Sequence, residues 1–176
     1  MPSPLAHTMM GYVIYRIYRP RTPELASKRL GPIPLLLLLT TSLSMLPDLD
    51  SVAGVLMGDF GRFHNNMTHS LLIGLVVALG VGFIGWLKPH YGFFRWFTIT
   101  LLCYDLHVMM DFFTVGRGVM AFWPLLSDRF LSPVIIFYGL HWSDGVFSIR
   151  HLWTLLSESA LVLPLALTVR SLISPK

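Results

Sequence analysis

Six side chains in three short stretches of this chain could bind a metal ion. They are carboxylates and imidazoles at or beside the ends of strongly apolar segments, namely Asp48, Asp50, His64, His69, His107 and Asp111. An ionisable group in such a place is costly, and at membrane depth it is a candidate for function. Oxygen and imidazole ligands suit Zn, Mn or Fe, and the absence of thiolates argues against a structural cysteine site.

The pair with the most informative spacing is His107 and Asp111, four residues apart in an apolar segment. A helix places both side chains on one face, which Tyr104 and Thr114 extend, whereas Asp105 points elsewhere. A purely structural hydrogen bond between the two is the alternative. We favour metal binding because desolvating a carboxylate is costly without a cation.

The other two stretches are weaker signals when each is taken alone. His64 and His69 are five residues apart, so we place His64 in a loop and His69 at a helix start that Thr68 or Asn66 could cap.

Two further carboxylates, Asp48 and Asp50, follow Pro47 in what reads as a turn. Alone, such a turn is usually unremarkable. The joint occurrence of the three stretches is what favours a metal site.

Composition favours a membrane protein. The chain has 176 residues, the length of one domain over residues 1–176, with mean hydropathy +0.65. Charged residues make up 12%, against about 25% in soluble domains. The basic residues cluster between apolar segments instead of forming a stripe, so nucleic acid is not an expected partner. The single cysteine, Cys103, excludes an intramolecular disulfide.

The pattern predicts an all-α, polytopic membrane helical bundle with about four transmembrane spans. We expect a short helix over 4–19 and spans over 31–46, 70–87, 96–113 and 152–170. Residues 51–68 contain glycines that break any long helix, and those of 70–87 allow close helix packing. Residues 131–142 are too short to cross and predict a re-entrant or interfacial helix.

Basic residues indicate the orientation. If residues 16–29, residues 88–95 and the C-terminus share one side, that side holds nine Lys and Arg and the other holds four. The positive-inside rule makes the first side cytoplasmic. All six candidate ligands then meet at the extracytoplasmic end, and His7 joins them only if the first helix runs antiparallel to the second.

These residues together resemble a known family. Ala6-His7, Leu46-Pro47-Asp48-Leu49-Asp50, His64 with Thr68-His69-Ser70, His107-x-x-x-Asp111 with Thr114, and Trp123-Pro124 occur in that order. They resemble the YdjM-like membrane-bound metal-dependent hydrolases of bacteria and archaea. That family is similar to the zinc-dependent phospholipase C and S1/P1 nuclease superfamily, whose all-helical members hold clustered zinc ions. The resemblance implies metal roles for His7, Asp48, His64, His69, His107 and Asp111.

Two positions depart from the family pattern. Ser51 stands where members often carry histidine, and Asn65-Asn66 stands where they often carry Arg-Gly.

The expected function is metal-dependent hydrolysis of a phosphoester, in a membrane lipid or a lipid-like substrate, at the outer face of the cytoplasmic membrane. The expected cofactor is one to three divalent transition-metal ions, with zinc favoured. We assign Asp50 as general base or as the partner that orients a ligand, and Thr68 and Trp123 to substrate binding. The alternatives are an ion, proton or metal transporter that uses the same cluster, and a non-catalytic scaffold with a structural metal.

Overall fold

The structure is a computed structural model that describes residues 2–58, 63–88, 91–140 and 148–173. Its helices are α1 (Pro4–Tyr18), α2 (Pro23–Ser27), α3 (Leu35–Ser44), α4 (Leu49–Leu56), α5 (Leu71–Trp86), α6 (Phe93–Phe112) and α7 (Ile149–Ile173). Single 3₁₀ turns occur at Arg19–Arg21 and Met67–His69, and β1 (Arg29–Leu30) pairs antiparallel with β2 (Ile33–Pro34). The predicted all-α class is therefore confirmed.

Serine side chains start two of the helices that matter for the site. Ser3 Oγ accepts a hydrogen bond from the Ala6 N–H at 3.3 Å, which satisfies a free donor in the first turn of α1. Ser70 does the same for α5, because its Oγ accepts from the Leu72 N–H at 3.2 Å. The predicted caps of this helix, Thr68 and Asn66, were wrong because His69 lies in a 3₁₀ turn and not in the helix.

Three predictions differ from the structure. Asp50, predicted to share a turn with Asp48, lies in the first turn of α4. Helix α3 has 10 residues and is shorter than the span predicted over 31–46, because β2 precedes it and Pro47 follows it. Residues 131–140 form no helix, and 141–142 lie outside the described residues. The 130–137 segment instead bonds to the chain after α6, with Val119 bridging Phe130 and with the Ser132 N–H donating to the Phe112 carbonyl at 3.0 Å.

One helix of the described part of the chain is long and apolar enough to cross a membrane, namely α7 with 25 residues. Two shorter apolar helices, α3 and α5, accompany it. Glycines let α5 pack closely on α6, as predicted. A Cβ at Gly85 would lie 2.5 Å from Trp96 Cδ1, and one at Gly74 would clash with Asp105 Oδ1.

Helix α1 brings the N-terminal part of the chain to the candidate ligands. It packs against α3, α6 and α7. His7 at its start lies beside Asp111 at the end of α6, while Ile14 near its end packs with Trp96 at the start of α6. Helix α1 therefore runs antiparallel to α6. It also runs antiparallel to α3, because Gly11, one turn after His7, lies against Thr41 and Ser44 at the end of α3, while Ile14 packs with Leu36 near its start. This is the predicted condition under which His7 joins the candidate ligands.

Candidate metal centre

Four buried side chains direct one ligand atom each toward a common point. The atoms belong to Asp48, His69, His107 and Asp111, and all lie within 4.8 Å of one another. Asp48 follows α3, His69 precedes α5, and the other two lie one turn apart on α6. Three segments distant in sequence thus supply one cluster.

The spacing of these atoms fits a tetrahedral metal. His69 Nε2 lies 3.2 Å from His107 Nε2 and 3.0 Å from Asp111 Oδ2. Asp48 Oδ1 lies 3.5 Å from His69 Nε2 and 3.4 Å from His107 Nε2. The gap between His107 Nε2 and Asp111 Oδ2 is 3.8 Å. Bonds of about 2.0–2.1 Å to zinc would place tetrahedral ligand atoms about 3.3 Å apart.

Hydrogen bonds behind the two imidazoles orient them. His107 Nδ1 lies 2.7 Å from the Ser44 carbonyl oxygen, to which it must donate its proton, so Nε2 presents a lone pair to the cluster. His69 Nδ1 lies 3.1 Å from Asp50 Oδ2, and its Nε2 likewise faces the cluster. A carbonyl or carboxylate behind a histidine ligand is the usual arrangement at metal sites.

Buried polar atoms without partners mark the same place. Both side-chain oxygens of Asp48 and of Asp111, and both ring nitrogens of His7, are buried and make no hydrogen bond of acceptable geometry to any residue that the structure describes. Each such atom costs about 1–3 kcal/mol. His7 stacks on His107 with ring centroids 3.7 Å apart, and its Nε2 lies 3.6 Å from Asp111 Oδ1. A bound cation would compensate these groups, so the residues present fit a metal.

A second group of possible ligands adjoins the first and comprises Asp50, His64 and His69. Asp50 Oδ1 lies 3.0 Å from His64 Nδ1, and Thr68 Oγ1 donates to Asp50 Oδ2 at 2.6 Å. Ser51 Oγ also lies 2.8 Å from His64 Nδ1, so a polar group occupies the position where the family often has histidine. Both oxygens of Asp50 are engaged by neighbouring side chains.

The electrostatic balance of the cluster favours ionised carboxylates. Burial raises the pKa values of Asp48 and Asp50, but the interactions of their carboxylates with the neighbouring imidazoles outweigh it and hold both pKa values well below their ordinary range. Burial lowers the pKa of His69, but its close contacts with the carboxylates of Asp111, Asp48 and Asp50 outweigh it and raise the pKa above its ordinary value. Ionised carboxylates are the form that binds a metal.

The structure thus brings all the predicted ligands to one end of the bundle. Thr68 contacts Asp50, and its carbonyl accepts a hydrogen bond from the Tyr104 hydroxyl at 2.6 Å. The Trp123 carbonyl accepts from Ser70 Oγ at 2.7 Å, which fixes this segment beside the start of α5.

Three contributors escaped the sequence analysis. The Ser44 carbonyl orients His107, but a backbone group leaves no sequence signal. Arg117 Nη2 donates to the His64 carbonyl, and Arg129 Nη1 donates to the Asn65 carbonyl at 2.9 Å. The signal for both arginines was present, since they are two of only four basic residues predicted to lie outside.

The described part of the chain is mainly helical and combines one apolar helix of transmembrane length with a buried His and Asp cluster, which are features that suit a membrane protein with a candidate metal centre. The chain belongs to the YdjM inner membrane protein family, which matches residues 1–174. This confirms the predicted membership in the YdjM-like family, whereas the similarity to the phospholipase C and S1/P1 nuclease superfamily stays a prediction.

A curated relative supports the membership. The chain is similar to the inner membrane protein YbcI of Escherichia coli (strain K12), with 36% identity over 107 residues. The match covers 57% of this chain and 60% of YbcI, so it spans about three fifths of that relative's length. No solved structure matches the chain.

Proposed function

We propose that this inner membrane protein is a metal-dependent hydrolase that cleaves a phosphoester in a lipid or lipid-like substrate. One observation carries the proposal: four buried ligand atoms from three chain segments all lie within 4.8 Å of one another. The name of the family gives a location and no reaction, so the proposed activity is argued from the chemistry of this site alone.

The residues that would hold the first ion are Asp48, His69, His107 and Asp111, and His7 lies beside them. The donor set of imidazole and carboxylate without thiolate suits Zn²⁺. When bound, the ion would act as a Lewis acid that polarises a phosphoryl oxygen and lowers the pKa of a bound water.

Asp50 is better placed to orient His64 and His69 than to accept a proton from substrate. Its Oδ1 contacts His64 and its Oδ2 contacts His69 and Thr68, so neither oxygen faces the cluster unengaged. Loss of such an orienting carboxylate typically costs about 10–100-fold in metal affinity or activity. A general base would instead contribute about 10²–10⁴-fold to the rate and leave metal binding intact.

The position of the site suits a substrate at the membrane surface. The ligands lie at the ends of α3 and α6 and at the start of α1, and not at the middle of a helix. Under the proposed topology of about four spans, this end faces outward at the depth of lipid headgroups. Thr68 and Trp123 stay our candidates for substrate contacts.

The test is hydrolysis by purified protein in mixed micelles. We expect chelator-sensitive cleavage of a phospholipid or a related phosphoester, lost in His107→Ala. Asp105→Asn is the matched control, because Asp105 lies on the same helix but outside both candidate ligand groups. In Asp50→Asn, reduced metal affinity would support the orienting role, and a slower rate at full metal occupancy would support the general base.

Two results would replace the proposal. The first is metal-loaded protein that does not hydrolyse any of a broad panel of phosphoesters but gives metal or proton flux in liposomes. If His69→Ala abolishes this flux, the protein is a transporter. Metal-loaded protein that shows neither activity would make it a scaffold with a structural metal.

A further inference from the structure

Two arginines bind the loop that carries His64. Both lie in the connection after α6 and both are exposed residues. Arg117 Nη2 donates to the His64 carbonyl, and Arg129 donates through Nη1 to the Asn65 carbonyl at 2.9 Å and through Nη2 to Asn66 Oδ1. The two guanidinium groups are therefore fixed on one three-residue segment.

A backbone bridge connects the two stretches of chain that carry the arginines. The Val119 N–H donates to the Phe130 carbonyl at 2.9 Å, and the Phe130 N–H donates back to the Val119 carbonyl at 2.8 Å. In sequence, Val119 follows Arg117 by two residues and Phe130 follows Arg129 directly. Burial lowers the pKa of Arg129, and the positive charge of Arg117 lowers it further, so the two charges interact.

Their location makes a purely structural role an incomplete explanation. Arginines are disfavoured in extracytoplasmic loops of bacterial membrane proteins. Of the four basic residues that the topology places outside, two are held together here. Holding like charges close is unfavourable unless an anion accompanies them.

The arginines also adjoin the metal centre through His64. Arg117 binds the backbone carbonyl of His64. The ring nitrogen Nδ1 of His64 lies 3.0 Å from Asp50 Oδ1 and 3.7 Å from Asp48 Oδ1. His64 thus connects the guanidinium group of Arg117 to the carboxylates of the cluster, and Arg129 binds the two residues that follow His64. An anionic group held at the arginines would place an attached ester bond near the candidate ligands.

We infer that Arg117 and Arg129 form an anion subsite that binds a phosphate group of the substrate. The inference rests on the proposed function and deepens it, because it makes the substrate an anionic phosphoester. A guanidinium offers five N–H donors in a planar fork that matches a phosphate. Within the described residues, Arg129 Nε makes no hydrogen bond.

The experiment measures phosphate binding and metal content separately. Metal-loaded protein in phosphatidylcholine nanodiscs is titrated with inorganic phosphate by calorimetry, and metal is quantified in the same samples. Arg117→Gln and Arg129→Gln should each weaken phosphate binding by about tenfold or more, as expected for a lost charge-assisted hydrogen bond. Lysine at either position should restore part of the affinity, because it keeps the charge without the fork.

Arg150→Gln is the matched control. It removes the same charge on the same predicted side, from the start of α7, and should leave phosphate binding unchanged. Repeating the titration in phosphatidylglycerol nanodiscs identifies the source of the anion. If phosphatidylglycerol weakens the binding of inorganic phosphate to the wild type but not to the double Gln variant, the subsite binds a headgroup phosphate. If the lipid has no effect on phosphate binding, the subsite binds a free phosphate group.

Two outcomes would overturn the inference. Unchanged phosphate affinity in the double variant at full metal content would do so. Metal loss in both the Gln and the Lys variants would also do so, since the arginines would then only position His64. Arginine-dependent phosphate binding without hydrolysis would reject the proposed function alone, and chelator-sensitive hydrolysis that ignores both substitutions would reject the subsite alone.

Discussion

The close approach of α1 to α3 can be tested by adding one methyl group at Gly11. This glycine lies one turn after His7 on α1. A Cβ there would lie 2.8 Å from Thr41 Cα, 2.9 Å from the Thr40 carbonyl oxygen and 3.0 Å from Ser44 Oγ. Real Cβ atoms essentially never approach closer than 3.0 Å and ordinary contact begins at 3.4 Å, so the helices must separate by a few tenths of an ångström. Backbone atoms form two of these contacts, so a change of side-chain rotamer cannot relieve them.

The expected cost follows from two opposing terms. Overpacking of this kind typically costs about 1–3 kcal/mol, and replacing a helical glycine by alanine returns about 0.5–1 kcal/mol. Gly11→Ala should therefore be destabilising by roughly 0.5–2 kcal/mol. It should also weaken metal binding, because α1 carries His7 and the Ser44 carbonyl orients His107.

The single buried cysteine provides the assay. Cys103 is 1% exposed, so a thiol-reactive dye reports unfolding in detergent without any labelling of the native state. The Tm should fall by about 2–4 °C for each kcal/mol lost. Gly80→Ala is the control, since no atom lies within 4 Å of a Cβ at that position. A Tm of Gly11→Ala at or above that of Gly80→Ala would refute the close packing of α1 on α3.

Two further predictions concern the last helix and the orientation. Glu158→Ala should destabilise the protein by about 1–3 kcal/mol, because Glu158 Oε2 accepts a hydrogen bond from the buried Ser3 N–H at 2.7 Å. Glu158→Gln keeps an acceptor and is the control. Equal unfolding temperatures for the two variants would contradict this role. A cysteine at Met57, which is 66% exposed, should react with an impermeant thiol reagent from outside intact cells, and one at Ser27 should not. Reversed labelling would place the site in the cytoplasm.

The candidate ligands could be predicted because their types and spacing carry the information. His107 and Asp111 lie on one helix face whatever the rest of the fold does. The glycines of α5 likewise predicted close packing, and Gly74 and Gly85 provide it. Apolar runs predicted the helices because burial requires little more than hydrophobic side chains at regular intervals.

Other features depend on contacts between distant segments and left no local signal. The 131–140 stretch is apolar enough to suggest a helix, but its backbone bonds to the chain after α6 instead. The start of α5 was misplaced because His69 lies in a 3₁₀ turn, whose polar residues resemble a helix cap. The roles of the Ser44 carbonyl and of Arg129 likewise follow only from the folded arrangement.

The most direct test of the metal centre is elemental analysis of detergent-purified protein, compared between the wild type and three α6 variants. We expect stoichiometric divalent transition metal in the wild type and in Asp105→Asn, whose side chain lies outside the cluster. His107→Ala and Asp111→Ala should each lose most of it, because each removes one of four ligands from a buried site. No metal in the wild type, or equal metal in all four proteins, would contradict the assignment of these residues as metal ligands.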